Sequence, residues 1–348
     1  MAYTVERADL VADRQELLAL WKRNHVGGEE RFRWIYERNP AGQPTCFLAR
    51  DGRTSKLVGC TTLFPRPVYI QGRLVRGGIA GDFAVDKEHR LLGPALMLQR
   101  AAVAHCDGEN FQILYGNPNS RSEAVLRRVG YKKVAPQLQL TKPIRSRYYL
   151  ARRVRPWALS HVLSKPLDLA LKVSSRDVYF KHPRNTEFHL SSSFDERFDR
   201  LWMRSMNSFT IIGCRSSDYL RWKFEMAPSG NYRIFTLSDR TTTELDGYIV
   251  FSQNENSVTI SDLFVANTGN NLDTLLAGFI TGQREEGADF ISLCYAGSPQ
   301  VTRSLLKFGF SLRGSEGGVH CYTTEDLDIS AVTGREENWY LFSGDYDA

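Results

Sequence analysis

The residues best suited to chemistry follow a buried strand in the first third of the chain. Val85 ends an apolar run, and the segment Arg90-x-x-Gly93-x-Ala95 comes shortly after it, where a helical pattern begins at Pro94. The free N–H groups and the dipole of a helix start bind anions of pyrophosphate size, and a glycine lets a ligand approach the backbone. Arg90 would add a charge-assisted contact. The pattern predicts a phosphate-binding turn, although one glycine at a strand–helix junction also occurs in turns that bind nothing.

The elements around this turn alternate between strand and helix patterns. Apolar runs bounded by turn residues predict strands, and apolar residues spaced on one face predict helices that pack on them. Pro94 suits the first position of its helix, and Gly130 suits a helix end. The predicted helices cover residues 16–23, 94–105 and 120–129, and the predicted strands cover residues 45–50, 56–64, 78–85 and 111–115.

The chain also repeats itself. Residues 33–42 (RWIYERNPAG) and 221–230 (RWKFEMAPSG) share Arg-Trp, an aromatic residue, Glu, Pro and Gly in the same order. Asp82 on the central strand has a counterpart in Asp262, and Gly130 has one in Gly309. We therefore predict a domain over 1–140, a basic helical connector over 141–189, and a similar domain with a carboxy-terminal tail over 190–348.

The loop and its surroundings resemble the GNAT acyltransferase superfamily. Arg90-x-x-Gly93-x-Ala95 is similar to the R/Q-x-x-G-x-G/A loop of that family, and Gly116-Asn117-Pro118-Asn119 resembles its next strand. The resemblance implies an α/β (α+β) fold of two tandem GNAT-like domains, each with a mixed, mostly antiparallel central sheet flanked by helices. It also implies an N-acyltransferase whose co-substrate, acetyl-CoA or another short acyl-CoA, binds where two central strands diverge.

The resemblance also assigns the cofactor contacts. The backbone of Phe83, Ala84 and Val85 would pair with pantetheine, and one of their N–H groups would polarise the thioester carbonyl. Asn119 falls where the family has an asparagine near the pantetheine arm. The residues assigned to the pyrophosphate loop are Arg90, Leu91, Leu92, Gly93, Pro94 and Ala95.

Two departures from the family pattern bear on the chemistry. Leu126 stands where many members have the tyrosine that protonates the leaving thiolate, although a thiol with an ordinary pKa of about 8.5 can leave without it. In the second unit, the loop has no arginine and Asp273 replaces Gly93. Because a carboxylate repels pyrophosphate, we expect the second unit not to bind CoA.

The candidate general base is Asp82, because an amine must lose a proton as it attacks a thioester. The alternative is a structural role, since its counterpart Asp262 lies in the unit expected to be inactive. His25 and Glu29 follow the first helix, where family members contact the acceptor, and we predict that they bind substrate.

Composition narrows the class of protein. Hydrophobic residues at 42% and charged residues at 24% are ordinary for a globular chain, with no apolar run long enough for a membrane span. Without a secretory signal pattern, we expect a cytoplasmic protein. The six cysteines lack metal spacing, so we expect no metal. The net charge of +6 favours an anionic partner, and no nucleic-acid motif accompanies it.

The acceptor is inferred from a looser resemblance. The tandem units, the Asn117-Pro118-Asn119 turn and residues 338–347 resemble GNAT-type proteins of bacterial surface-polysaccharide synthesis. This implies a primary amine, an amino sugar on a nucleotide carrier, with Asp345 contacting its ammonium or hydroxyls. The alternatives are another small amine of the aminoglycoside type, a protein lysine, or a non-catalytic acyl-CoA-binding protein. The basic connector is either a solvated helical face or a contact for phosphates or an anionic membrane.

Overall fold

The computed structural model describes residues 3–346 except positions 91, 147–149, 151–156, 229, 316, 325 and 326. Leu91 of the predicted phosphate loop lies outside the described residues, as do Arg147, Arg152, Arg153 and Arg155 of the predicted basic connector.

The described strands form one 16-stranded sheet. They are β1 (Tyr3–Arg7), β2 (Thr45–Asp51), β3 (Leu57–Ile70), β4 (Arg73–Val85), β5 (Ile113–Gly116), β6 (Lys132–Ala135), β7 (Leu138–Pro143), β8 (Thr186–Ser191), β9 (Ile211–Gly213), β10 (Tyr232–Asp239), β11 (Leu245–Asn254), β12 (Ser257–Val265), β13 (Phe290–Gly297), β14 (Ser311–Gly314), β15 (Val319–Thr323) and β16 (Trp339–Phe342).

Helices flank the sheet. The α-helices are α1 (Arg14–Asn24), α2 (Glu29–Phe32), α3 (Leu92–Ala104), α4 (Ser120–Arg128), α5 (Trp157–Val173), α6 (Arg176–Tyr179), α7 (Glu196–Ser205), α8 (Ser217–Leu220), α9 (Asn270–Glu285), α10 (Pro299–Lys307) and α11 (Leu327–Thr333). Two π-helical turns, Arg33–Glu37 and Arg221–Glu225, continue α2 and α8. Short 3-10 turns cover Lys87–His89, Met206–Ser208, Glu336–Asn338 and Ser343–Asp345.

The predicted fold class is confirmed, because the sheet is mixed and mostly antiparallel. Its parallel pairs, within the part of the chain that is described, are β4 with β5, β9 with β16, and β12 with β13. The predicted elements of residues 16–129 are all present, with ends that differ by a few residues for most of them. The largest differences are in β3 and β4, which extend into a long hairpin closed at Ile70 and Arg73.

The repeated segments adopt the same local structure and meet each other. Each forms a short α-helix that continues into a π-helical turn, so Trp34 and Trp222 hold equivalent positions. Their rings stack with centroids 5.5 Å apart. Trp34 Nε1 donates to the Trp222 carbonyl at 2.7 Å, and Trp222 Nε1 donates to the Trp34 carbonyl at 2.9 Å. The reciprocal bonds satisfy two buried indole N–H groups.

The two halves of the chain exchange strands. β7, which follows the first unit, pairs with β13 and β14 of the second. β15, from the second unit, pairs with β5 and β6 of the first. The domain boundaries at 140 and 190 stay a prediction, but sheet membership does not follow them, since residue 140 lies inside β7.

The segment predicted to be a carboxy-terminal tail is instead part of the sheet interior. β16 runs parallel to β9 and antiparallel to β13, and its four residues are all buried. β9 also pairs with β3, so β9 and β16 join the sheets of the two halves. Apolar side chains at this junction, including Trp222 and Trp339, pack in one cluster with Trp21 and Tyr36 of the first half.

Candidate active site

The site begins where β4 and β5 diverge. The two strands pair only from Gly77–Ile113 to Ile79–Tyr115, whereas β4 continues to Val85. A Cβ at Gly116 would lie 2.9 Å from the Ala80 carbonyl oxygen, so the end of β5 requires a glycine. Beyond this point one edge of β4 has no strand partner among the described residues. Its backbone groups are therefore available to hydrogen-bond a ligand.

A β-bulge interrupts β4 at the same place. The register of β4 on β3 shifts between Cys60 and Thr62, and Asp82 adopts a left-handed conformation with φ of 46°. Bulges of this kind redirect side chains and increase the local twist. The bulge turns the Asp82 carboxylate toward α2 and leaves Phe83 in the wall of the divergence.

An outer cavity of about 490 Å³ opens beside the unpaired edge of β4. Its lining residues are Asn24, Val26, Phe83, Ala84, Val85, Arg90, Ala95, Asn119, Arg121, Ser122, Ala124, Val125 and Arg128. Three of them are arginines, and the first turn of α3 lies at its rim. Nε of Arg90 donates to the Val85 carbonyl at 3.0 Å, which holds the guanidinium beside the turn. Cationic groups at a helix start suit a pyrophosphate.

The local fold does not require a glycine at position 93. Gly93 is exposed and its φ is not positive, and an added Cβ would have the Tyr3 ring carbons, at 3.9 Å, as its nearest neighbours. Pro94 and Ala95, in contrast, are buried in the first turn of α3. Gly93 is not among the lining residues of the adjacent cavity, so its contact with a pyrophosphate stays a prediction.

An inner cavity of about 160 Å³ adjoins the outer one and shares Phe83, Asn119 and Ser122 with it. Its other lining residues are Thr61, Ala80, Gly81, Asp82, Gln99, Gly116, Asn117, Pro118 and Leu126. It lies between β4, α3 and α4, at the bulge. A thioester that enters along β4 would end here.

Asn119 lines both cavities, and its side-chain oxygen is already in use as the N-cap of α4. The oxygen accepts from the backbone N–H groups of Arg121 and Ser122, both at 3.0 Å, and from the Ser122 hydroxyl at 2.8 Å. Only its amide N–H₂ group remains to contact a ligand.

Asp82 lies in a hydrogen-bonded, buried environment. Nη1 of Arg31 is 2.8 Å from the carboxylate, and the Tyr36 hydroxyl donates to it at 2.9 Å. Burial, reinforced by the charge of Asp82, raises the pKa of Tyr36 well above its usual value, so Tyr36 stays a donor. Burial also raises the pKa of the adjacent Cys46 thiol to about 12, which excludes it as a thiolate nucleophile at neutral pH.

The counterpart Asp262 has the same kind of environment in the other half. Arg215 lies 2.8 Å from its carboxylate, and the Tyr248 hydroxyl donates to it at 2.9 Å. Two carboxylates at equivalent bulges, each with an arginine and a tyrosine, indicate a role in holding the bulge. The base role of Asp82 stays a prediction.

The structure does not bring the other predicted substrate contacts to these cavities. His25 is exposed and ends α1 in a left-handed conformation. Glu29 is exposed and pairs with Arg14 and Arg33. Asp345 is buried between Arg66, at 2.6 Å, and Arg215, at 2.8 Å. Both of its oxygens are occupied because the segment that carries it packs inside the sheet.

Arg121, Arg128 and Gln99 are among the lining residues that the sequence analysis does not predict. Arg121 and Arg128 lie seven positions apart on α4, so they share one helix face, a spacing that helical periodicity could have revealed. Gln99 lies in a helix with mostly apolar neighbours and gave no comparable signal.

The corresponding divergence in the second half is filled by the chain itself. β12 and β13 pair only as far as Ile260–Leu293, and β16 then pairs with β13 at Tyr295–Gly297. The Tyr340 hydroxyl donates to the Leu263 carbonyl, and the Ser343 hydroxyl donates to the Ser261 carbonyl. A cavity of about 370 Å³ remains at the start of α9, and Asp273 lines it. A pantetheine arm has no open path here.

Comparison with known proteins agrees with this geometry. Residues 11–134 match the model of the acetyltransferase (GNAT) domain. No curated protein matches the sequence at a significant level. Among the described residues, no helix is long and apolar enough to cross a membrane, and no three His, Cys, Asp or Glu side chains cluster as metal ligands.

Solved structures share the fold over most of the chain. A probable N-acyltransferase of Enterococcus faecalis has a TM-score of 0.68 at 13% identity, over 93% of this chain and 73% of that one. A GCN5-related N-acetyltransferase of Anabaena variabilis has a TM-score of 0.67 at 12% identity, over 96% and 75%. Saccharomyces cerevisiae N-myristoyltransferase, solved with myristoyl-CoA, has a TM-score of 0.56 at 12% identity, over 92% and 78%. The chain therefore has the GNAT acyltransferase fold.

Proposed function

We propose that the protein is an acyl-CoA-dependent N-acyltransferase built from two fused copies of a GNAT unit, with one active cofactor site per chain. The observation that carries the proposal is the divergence of β4 and β5 beside a cationic cavity at the start of α3. The pyrophosphate would bind Arg90 and the α3 turn, and pantetheine would pair with Phe83–Val85. The thioester would then lie at the bulge, where a backbone N–H group polarises its carbonyl.

The reaction in this proposal is direct attack by a primary amine in a ternary complex. The amine nitrogen forms a bond to the thioester carbon, the C–S bond breaks and CoA leaves as the thiolate, while the amine nitrogen gives up one proton to solvent water. Leu126 lines the inner cavity where many family members have a tyrosine acid, so the thiolate is not protonated by that residue. The small inner cavity favours an acetyl or other short acyl group over a long chain.

A non-catalytic acyl-CoA-binding protein is the second candidate, and Leu126 is the observation that favours it. Measuring thiol release from acetyl-CoA with a panel of amines distinguishes the acyltransferase from the non-catalytic binding protein. We expect amine-dependent release of CoA at an enzymatic rate. Tight binding of acetyl-CoA by calorimetry, without thiol release for any amine in the panel, would favour the second candidate.

We propose an amino sugar on a nucleotide carrier as the acceptor, with support from the net charge of +6 and the looser resemblance noted above. The acceptor's phosphates would be attracted by the basic surface, an interaction that salt screens. We expect KM for the nucleotide-linked sugar to rise several-fold between about 0.05 and 0.5 M salt, and the free amino sugar to be a poor substrate. Equal rates with both sugars, or a preference for lysine peptides or aminoglycosides, would contradict this acceptor and leave the acyltransferase proposal intact.

Replacement of Asp82 by asparagine tests its role. Because Arg31 and Tyr36 hold the carboxylate, we expect kcat to fall by about 10²-fold through displacement of the bulge, by the same factor at every pH. Loss of a general base would instead recover as the pH rises and more of the amine is uncharged. Asp262→Asn is the matched control, which should lower stability comparably and leave kcat nearly unchanged. Recovery of the Asp82→Asn variant at high pH would support the base role of Asp82.

A further inference from the structure

The inner cavity contains a buried polar group that the proposed reaction does not use. Gln99, on α3, is 1% exposed and lines this cavity. Its Nε2 donates to Oγ1 of Thr61 at 2.9 Å. Its Oε1 has no hydrogen-bond partner in the part of the chain that is described. Burying a carboxamide oxygen without a hydrogen-bond partner costs free energy, so this group indicates a ligand that donates the missing hydrogen bond.

The position of Gln99 indicates which part of a ligand would reach it. Its partner Thr61 lies on β3 at the register shift, opposite the bulge at Asp82. The proposed thioester lies at that bulge, next to Phe83. A group that contacts Gln99 from the inner cavity is therefore beyond the thioester carbon, which makes it the acyl group rather than the pantetheine arm.

The size and polarity of the cavity restrict the acyl group further. At about 160 Å³ the inner cavity has about a third of the volume of the outer one, about 490 Å³, which favours a short acyl group over a long chain. The wall carries Thr61, Gln99 and Ser122 beside Leu126 and Phe83, so it is not an apolar tunnel. A hydroxyl group both donates and accepts, so it would match the carboxamide in either orientation.

We propose that the inner cavity is an acyl subsite that selects a short acyl-CoA carrying a hydroxyl group, which donates a hydrogen bond to the Gln99 carboxamide. This inference rests on the proposed function and adds its donor substrate class. A site that hydrogen-bonds a substrate hydroxyl discriminates strongly against the analogue that lacks the hydroxyl, because binding that analogue leaves the polar group of the protein unpaired.

The test compares β-hydroxybutyryl-CoA with butyryl-CoA, which differ by one hydroxyl, and with CoA itself. In calorimetry with the wild-type protein, we expect β-hydroxybutyryl-CoA to bind at least about 10-fold more tightly than butyryl-CoA. In Gln99→Leu the two thioesters should bind equally, whereas the affinity for CoA should not change. Gln283→Leu is the control, because Gln283 is also buried with an unpartnered Oε1 but lies far from this site in the second half. It should keep the wild-type preference.

Two results would overturn the inference. The first is equal affinity of the wild-type protein for β-hydroxybutyryl-CoA and butyryl-CoA, a comparison that does not depend on the folding of a variant. Equal weakening of CoA and both thioesters by Gln99→Leu would also overturn it, since Gln99 would then bind the pantetheine arm. If CoA does not bind the wild-type protein at all, the proposed function fails, and this inference fails with it.

Discussion

Gly93→Asp should abolish CoA binding, with a loss of affinity of at least about 10²-fold, while the fold remains intact. In the proposed complex the pyrophosphate binds Arg90 and the start of α3, so a carboxylate at position 93, in the first turn of that helix, would repel it. Like charges brought together in a binding site cost several kcal/mol. The side chain itself should be tolerated, because outside its own helix backbone the nearest atoms to an added Cβ are Tyr3 ring carbons at 3.9 Å. Calorimetry with CoA and a thermal unfolding curve measure the two parts of this prediction.

The second half provides the control for this result. The wild-type protein should bind one CoA per chain, and Asp273→Gly should not create a second site. Removing that carboxylate reopens only the rim, because β16 and the turn after it still fill the divergence between β12 and β13. Gly93→Ala should weaken CoA less than Gly93→Asp, since it adds bulk without charge. A stoichiometry of two, in the wild-type protein or in Asp273→Gly, would contradict the proposed inactivity of the second unit.

Asp345→Ala should destabilise the protein by about 3–5 kcal/mol, the usual cost of removing one partner of a buried ion pair. Asp345 is 1% exposed and joins Arg66 of the first half to Arg215 of the second. It also accepts a hydrogen bond from the Phe342 backbone N–H at 2.8 Å. Without it, two buried guanidinium groups lose a shared counter-ion. The free energy of unfolding in a denaturant series measures the effect.

An exposed ion pair is the matched control for Asp345. Glu286 pairs with Arg233 at 2.7 Å on the surface, so Glu286→Ala should cost less than about 1 kcal/mol. Residues 339–348 carry the buried strand β16 as well as Asp345, so deleting them should unfold the protein. We do not expect a folded variant that binds CoA but has lost the acceptor. A stable Asp345→Ala variant that had lost only acceptor affinity would contradict the structural role and support the contact expected from the sequence.

Local segments of the sequence determined much of the candidate site. The sequence predicts Phe83–Val85, Arg90 and Asn119 around one cofactor, and in the structure they line the same pair of adjoining cavities, whereas Gly93 lies in the neighbouring first turn of α3. They are close in sequence and lie on elements whose periodicity is strong, so their relative placement depends on few long-range contacts. The repeated Arg-Trp segments likewise predicted two equivalent pieces of local structure.

Only the tertiary structure decided which strands pair and what fills the second divergence. Periodicity reports whether a residue lies on a helix or strand and which face it shares, but it does not report the partner of a strand edge. β7 and β15 are exchanged between halves. The sequence suggests residues 338–347 as an acceptor contact, whereas in the structure they include the central strand β16. Asp345 and Gln99 took their roles from partners distant in sequence, Arg66 and Thr61, and such hydrogen bonds exist only once the chain is folded.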